Sequence, residues 1–577
     1  MSKRHKAENP LSEALYNDDS VAELKSLYVN NKPFPHVVLS PLCTEIGMKL
    51  IHDEVKNNLT ADFKETDLFK VFQTGELGNI DRFEEKMPTL LALRNAIYSE
   101  KFRNFIRDIT GCHDINERVD CSINAYAHGC HLLCHDDVIG TRRVSYIIYL
   151  TDPDDEWTDN DGGALELYPL DSSSIIDKGL SGGGLQGNPE AIPTTNILPI
   201  FNTMALFAVQ PGRSYHSVQE VYVQNKPRLS ISGWFHGPTP PIGCDAASLK
   251  QIMTTGDDDR PFENFSENRK EYNINLVEDD QFKDDMKILS AYVNSTYLTF
   301  DAIKKINKQF CKDSSVQLSC FLKKEVAEPL KMLLSAEDIN CNLGDMQNPS
   351  SYDVGVNDGW KIVGPPHKRR HLLYNKKEAN VKDCNSSMGS SLCHISEVLF
   401  QSQVFSRYLH RLTSLTTLAF REEVRRFRPG LDYTVAHYGA MTTIPRLDAT
   451  LCFVKLMQDE EGDEEDEDCE DGDKWDSGDV GGFECYIEAD TDEGSDAAEV
   501  YRANDVDKEE SLLSISPGFN MLNLVMRDQE IMRFVKFVSY AAPSSRFDIA
   551  YEYEIVQPED GEDEEAEEES SDGSDEF

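Results

Sequence analysis

Two series of short apolar runs constrain this chain more than any other feature. Between Val119 and Phe235 they are CSINAYA, VSYIIYL, ALELY, ALFAV and RLSISGWF; in the last 150 residues they are YTVAHYG, TLCFVKL, GFECYIEA, MLNLVMR, FVKFVSYA and RFDIAYEYEI. Their length and composition are those of strands, and Gly, Asp and Pro clusters separate them, as in an antiparallel barrel or jelly roll. The series also echo each other. GGALELY (162–168) matches GGFECY (481–486), FNTMALFAV (201–209) matches FNMLNLVM (519–526), and PRLSI (227–231) matches SRFDI (545–549). Three echoes in one order imply an internal duplication.

Other segments fill in the layout. HVVLS after Pro35 reads as a strand, and Ser40-Pro41 then supplies an N-cap and first-turn proline for a helix to about Asn58. Helical periodicity at 285–335 and 392–424 predicts helices packed on a second core. The expected fold class is mainly β with packed helices (α+β). Its parts are a flexible N-terminus (1–29), a first domain (30–240), a linker (241–284), a second domain (285–557) with an acidic insertion at 458–479, and an acidic tail (558–577). The tract DEEGDEEDEDCEDGD and the tail are too charged to bury, so they are expected to be solvated and mobile, with capture of a basic partner as a sharper role.

Composition narrows the partners. A chain of 577 residues can bury two or three cores. A net charge of −46 argues against autonomous binding to nucleic acid or anionic membranes and suits a basic partner or substrate. No run approaches the roughly 20 apolar residues of a membrane span. The start MSKRHKAENP lacks a signal-peptide core, and the 14 cysteines form no zinc-type pairs, so reduced intracellular thiols are expected.

The chemistry concentrates in CHDDVIGTRRVSYIIYL, SYHSVQEV and PRLSISGWF. His135 and Asp137, followed at long range by His216, have the form of a two-histidine, one-carboxylate triad on one face of Fe(II), which leaves positions open for a co-substrate and dioxygen. Manganese fits the same donors, and zinc remains possible. Strand alternation would put His135 and Asp137 on one side and Asp136 on the other. A buried Arg228 needs an anion, and the distal carboxylate of 2-oxoglutarate would satisfy it in a fork geometry that Lys lacks. Tyr149 could donate to the same carboxylate or be plain core. Asn124, Tyr126 and Trp234 could line the pocket, although scaffold is the commoner role, and packing is the expected role of Cys130 and Cys134. Lys368-Arg369-Arg370 reads as a solvated loop, with an import patch or RNA contact as the sharper alternative. Registering the halves by Gly129 and Gly430 puts Ala436 opposite His135, Tyr438 opposite Asp137 and about Arg533 opposite His216, so the second copy keeps the barrel and loses the metal.

These motifs, with KETDLFKVFQTGELGNI (64–80), PPHKRRHLLY (365–374), RRFRPGLDYTVA (425–436) and GGFECYIEAD (481–490), strongly resemble the eukaryotic ribosomal prolyl hydroxylases. These include the fungal termination-and-polyadenylation proteins and the animal 2-oxoglutarate and iron-dependent oxygenase domain-containing proteins. The resemblance spans roughly residues 30–557. It implies two double-stranded β-helix (jelly-roll) domains, the second metal-free, with Fe(II) on His135, Asp137 and His216 and 2-oxoglutarate on Arg228 and Tyr149. It further implies 2-oxoglutarate and dioxygen as co-substrates, ascorbate as reductant, and 3-hydroxylation of a proline in a decoding-centre protein of the small ribosomal subunit, with a second hydroxylation in some fungal members. Links to translation termination factors, poly(A) messenger complexes and oxygen-dependent regulation, and both nuclear and cytoplasmic locations, come with it. Two other readings compete: an interaction protein that recruits translation or transcription partners, and an oxidative demethylase of nucleic acid, against which the acidity counts.

Overall fold

The computed structural model describes residues 9–75, 77, 86–179, 184–244, 260–265, 278–349, 351–357, 359–379, 386–436, 442, 444–456, 474–488 and 511–556. The tract 459–473, the tail 558–577, Tyr438 and most of the glycine run at 182–184 lie outside these residues, as does most of the expected linker.

The first half supplies β1 (His36–Leu39), β2 (Asp62–Glu65), β3 (Phe69–Gln73), β4 (Ser122–Tyr126), β5 (His131–His135), β6 (Arg142–Tyr149), β7 (Leu165–Leu167), the hairpin β8 (Ile176–Asp177) and β9 (Leu185–Gln186), β10 (Thr195–Ile197), β11 (Met204–Ala208), β12 (His216–Val218) and β13 (Arg228–His236). One antiparallel sheet runs β1-β11-β6-β13-β4-β3-β5-β12-β7-β10 and curls over itself, with β2 paired to β3. The second half supplies β14 (Glu263–Asn264), β15 (Ser315–Leu318), β16 (Trp360–Val363), β17 (Arg369–Tyr374), β18 (Thr417–Phe427), β19 (Tyr433–Thr434), β20 (Arg446–Phe453), β21 (Glu484–Glu488), β22 (Ser511–Ile515), β23 (Met521–Arg527), β24 (Ile531–Val535) and β25 (Arg546–Ile555). Here β15-β23-β20-β25-β18 repeats the order β1-β11-β6-β13-β4, and β21 pairs with β24 as β7 pairs with β12. The chain therefore folds as two jelly rolls of one design.

Period-two alternation divides each barrel. In β6, Val144, Tyr146 and Ile148 join the core under the helices Glu45–Asn58, Pro88–Ile97 and Glu100–Thr110, whereas Tyr149 turns inward with Phe207 and Leu167. In β20, Leu447, Ala449, Leu451 and Phe453 face the second helical core. Local details are duplicated too. Asn202 accepts from Cys43 N (2.9 Å) and donates to Cys43 O (3.0 Å), and Asn520 does the same to Leu322 (2.8 and 2.9 Å). A Cβ on Gly162 would lie 2.1 Å from Glu220 O, and one on Gly481 would lie 1.9 Å from Phe537 O, so both close approaches require glycine.

Several expectations are corrected. The N-terminal segment contains a helix, Asp18–Asn30, capped by Asn17, and Tyr28 accepts from Ala208 N (3.1 Å), so long-range burial orders a stretch that is polar in sequence. The helix after β1 begins at Glu45 with Thr44 as its cap, not at Ser40-Pro41. Residues 417–424 belong to strand β18, because Arg421 and Arg425 pair across strands with Glu552 and Asp548 (2.7 Å each) instead of along a helix. A strand, β15, also interrupts the segment 285–335. The acidic insertion ends sooner than expected: Trp475 is fully buried and donates to Lys455 O. Lys368 and Arg370 are buried beside and in β17, so the basic triplet is neither a solvated loop nor a surface patch. The described cysteines are all free, and no described helix is long and apolar enough to cross a membrane.

The two barrels share a polar interface. Asp67 accepts from Ala436 N (3.0 Å), Lys536 pairs with Glu65 (3.1 Å), and Tyr540 donates to Tyr222 O (2.6 Å). Glu220 accepts from Ser539 Oγ and Tyr540 N, yet burial pushes its carboxyl up to about 8. A carboxyl raised on folding stabilises most below its ordinary value of 4.5, and that contribution is lost as pH rises through about 8. Glu220→Gln is therefore expected to flatten thermal stability between pH 6 and pH 9, removing a drop on the order of a few kcal/mol. Equal melting-temperature profiles for variant and wild type would contradict this.

Candidate active site

Strands β5 and β12 are neighbours, and their register sets His135 directly opposite His216, with ring centroids 4.2 Å apart. Asp137 reaches the same point by another route. Strand β5 ends at His135, and Asp137 adopts φ +62° in the turn that follows, so a left-handed turn rather than strand alternation brings the carboxylate round. Asp136 is turned aside, accepting from Gly212 N (3.0 Å) and Val138 N (3.3 Å).

The ligand-type atoms of His135, Asp137 and His216 lie within 4.8 Å of one another, the only such group among the described residues. His135 Nε2 is 3.3 Å from Asp137 Oδ1, and His216 Nε2 is 3.4 Å from Oδ2. Each Nδ1 lies 2.8 Å from a backbone carbonyl, of Leu133 and Ser214 respectively. Donation to those carbonyls places the proton on Nδ1 and turns the Nε2 lone pairs toward the centre. Before a metal binds, burial opposes ionisation of Asp137, but His216 and His135 in their protonated form outweigh it and hold the carboxyl well below the usual range. Trp234 Nε1 donates to Asp137 Oδ2 (3.0 Å), and Arg142 lies 3.5 Å above the Trp234 ring. Two nitrogens and one oxygen gathered at one point suit an octahedral divalent ion with open positions.

An anion pocket adjoins this centre. Arg228 is 1% exposed; its Nε donates to Gly163 O (2.6 Å), and its guanidinium lies 5.0 Å from the ring of Tyr126 and 5.1 Å from that of Tyr149. Arg228 Nη2, Tyr149 Oη and Ser230 Oγ are buried with no well-formed hydrogen bond, Tyr149 and Arg228 facing only each other. Ser230 is the register partner of Tyr149 and lies two residues from Arg228, so all three donors face one place. Leaving such groups unmatched costs several kcal/mol, and a carboxylate would match them together. The donor set therefore fits the distal end of 2-oxoglutarate. Ser230 escaped the sequence reading; its only signal was the two-residue spacing from Arg228. Trp234 and Tyr126, weighed there as scaffold, both touch the site, whereas Asn124 is occupied by Gln73 and Ser232.

Residues 121–236 match the 2OG-Fe(II) oxygenase superfamily, and residues 284–562 match the oxoglutarate and iron-dependent oxygenase degradation C-term family. A prolyl 3,4-dihydroxylase OGFOD1 of Ostreococcus tauri is 38% identical over 532 residues, covering 91% of this chain and 96% of its own. The chain belongs to the OGFOD1 family. A prolyl 3-hydroxylase OGFOD1 of Xenopus laevis is 27% identical over 89% of this chain and 85% of its own. Among solved structures, a prolyl hydroxylase in complex with a hypoxia inducible factor oxygen degradation domain peptide fragment from Trichoplax adhaerens covers 38% of this chain and 91% of its own, at 17% identity and a TM-score of 0.28. This OGFOD1-family enzyme is an iron(II)- and 2-oxoglutarate-dependent dioxygenase.

The second barrel of the enzyme fills both places with its own side chains. Arg533 opposes Tyr486 as His216 opposes Leu167, so the register puts Arg533 at the His216 position. Its guanidinium pairs with Glu484 and lies 3.5 Å from Asp448, so an internal cation stands where the first barrel gathers metal ligands. Arg546 donates to Gly482 O (2.6 Å), as Arg228 does to Gly163 O. Unlike Arg228, it has carboxylates beside it: Asp548 at 2.9 Å and Glu484 at 3.4 Å. Asp548 stands two residues after Arg546, where the first barrel has Ser230, so the anion pocket is already neutralised there.

Proposed function

We propose that the enzyme hydroxylates a prolyl residue in a basic protein of the small ribosomal subunit at the decoding centre, and so tunes the accuracy of translation termination. The observation that carries the catalytic reading is the three unmatched donors, Arg228 Nη2, Tyr149 Oη and Ser230 Oγ, beside the His135–Asp137–His216 cluster. The prolyl substrate is supported by the printed activities of the relatives, the ribosomal one by the family resemblance, and a basic partner by the −46 net charge. When bound, Fe(II) with 2-oxoglutarate and dioxygen supplies the oxidant that puts one oxygen atom into a C–H bond, the other leaving in succinate as carbon dioxide is released. His135 and His216, fixed by their Nδ1 contacts, offer neutral nitrogens; Asp137, held by Trp234, offers the carboxylate. Arg228, Tyr149 and Ser230 orient the co-substrate by its far end. Ascorbate as reductant, termination factors and poly(A) messenger complexes as partners, and residence in nucleus and cytoplasm follow from the same reading.

The first hydroxylation is assigned to the prolyl 3-carbon. A second is favoured by the higher identity to the Ostreococcus 3,4-dihydroxylase, 38% against 27% for the Xenopus 3-hydroxylase. Intact-mass measurement of the ribosomal protein, incubated with the full chain, Fe(II) and 2-oxoglutarate, is expected to show two added oxygens. One addition would make the enzyme a 3-hydroxylase alone, and no addition would overturn the substrate.

A further inference from the structure

Strand β12, which carries His216, is three residues long, and its outer side is covered by the second barrel. Residues on either side of a strand residue point away from it, so Tyr215 and Ser217 face outward when His216 faces the centre. Tyr215 stacks on His367, with ring centroids 5.0 Å apart at 30°. Ser217 donates to Glu166 Oε2 (2.7 Å) and shares a hydrogen bond with the Tyr168 hydroxyl (3.0 Å). The second half of the chain completes this cluster. Tyr352 donates to Glu166 Oε1 (2.6 Å), and Arg370 Nη1 donates to the Tyr168 hydroxyl (3.2 Å). Arg370 is itself held by Leu431 O (2.8 Å) and by the rings of Tyr352 and Tyr433, 4.4 and 5.3 Å from its guanidinium. Glu166 is 1% exposed and Arg370 3%, with Tyr352 half-buried beside them, so a bond lost on the carboxylate or the guanidinium leaves a buried polar group unmatched.

We propose that the Glu166–Tyr352–Arg370 cluster is a positioning device through which the second barrel holds the His216 strand, so that metal affinity in the first barrel depends on side chains of the second. This rests on the reading of His135, Asp137 and His216 as metal ligands. Strand β12 pairs with β5 and β7 on its two sides, but its pairing with β5 shifts register between His216 and Val218, immediately after the ligand. Side-chain bonds on Ser217 and stacking on Tyr215 supply the missing restraint immediately beside the ligand. Groups that orient metal ligands from outside the coordination sphere typically contribute about 10–100-fold in metal affinity. The barrel whose own metal position is taken by Arg533 thereby keeps a role in the reaction.

The test measures Mn(II) affinity by calorimetry on the full chain, with melting temperature and turnover at limiting and saturating Fe(II). Tyr352→Phe keeps the ring and removes only the bond to Glu166, while Ser217→Ala cuts the same link from the first barrel. Each is expected to weaken Mn(II) binding about tenfold or more, with turnover restored by saturating Fe(II) and the KM for 2-oxoglutarate unchanged. Unchanged Mn(II) affinity in a folded Tyr352→Phe or Ser217→Ala chain, with His216→Ala abolishing binding, would overturn the proposal and leave the triad standing. Undiminished Mn(II) binding by His216→Ala would overturn the triad itself, and the positioning role with it.

Discussion

His216→Ala is expected to abolish conversion of 2-oxoglutarate to succinate, with kcat falling at least about a thousand-fold, the several kcal/mol a catalytic metal contributes. His216 is the ligand-type residue most deeply set in the barrel, meeting Phe207 edge to face (4.7 Å) and tilted against His135 (4.2 Å), and only its Nε2 is free to face the centre. The fold should survive the change, because the helical cores of both halves lie on the outer faces of the sheets and do not include His216. The second barrel shows that this design holds together with a different residue at the same register position, since Arg533 occupies it. Succinate formation and Mn(II) affinity should fall together while the melting temperature changes little. Full turnover in a folded variant would sink the ligand assignment.

Arg228 and Arg546 give an opposed pair of outcomes although they sit at the same barrel position. Arg228→Ala is expected to raise the KM for 2-oxoglutarate about 100-fold or more, from loss of a charge-assisted, two-pronged contact of about 3 kcal/mol or more. Arg228→Lys should fall between, because an ammonium keeps the charge without the fork. Stability without co-substrate should change modestly, since the bond lost from Nε to Gly163 O is offset by removal of a buried cation that has no acidic partner among the described residues. Arg546→Ala should do the reverse. Its guanidinium is matched by Asp548 (2.9 Å) and Glu484 (3.4 Å), which Arg425 and Arg533 also hold, so removing it breaks one arm of a buried ionic network and costs roughly 1.5–3 kcal/mol of stability. The KM for 2-oxoglutarate should not move. Kinetics and thermal melts of the two Ala variants check both halves of the statement, and matching effects would refute it.

The local pattern carried much of this. Strand-length apolar runs, glycine pairs and the order of the echoes were enough to read two related barrels, because alternation and tight turns depend on residues close in sequence. The gathering of His135, Asp137 and His216 and the burial of Arg228 were legible because few residue types suit a divalent ion or a buried anion, and their spacing matched. The opposition of Arg533 to His216 was also legible, since a duplicated strand preserves register. Local pattern failed wherever distant pairing overrides it. The segment after Thr416 carries helix-like charge spacing, yet its arginines find Glu552 and Asp548 across the sheet. Lys368-Arg369-Arg370 has the composition of a surface patch, yet Arg370 is locked among Tyr168, Tyr352 and Tyr433.

The sequence by itself determined the duplication, the donor types at the centre and the loss of those donors in the second copy. Only the tertiary structure decided how the donors meet, by a left-handed turn at Asp137 and a cross-strand pairing of His135 with His216. It also decided that Ser230 joins Arg228 and Tyr149, and that Tyr352 and Arg370 reach back to the strand of His216. The physical reason is the same in each case. Side-chain chemistry and short-range periodicity are written residue by residue, whereas the matching of buried polar groups depends on which strands the folded chain sets side by side.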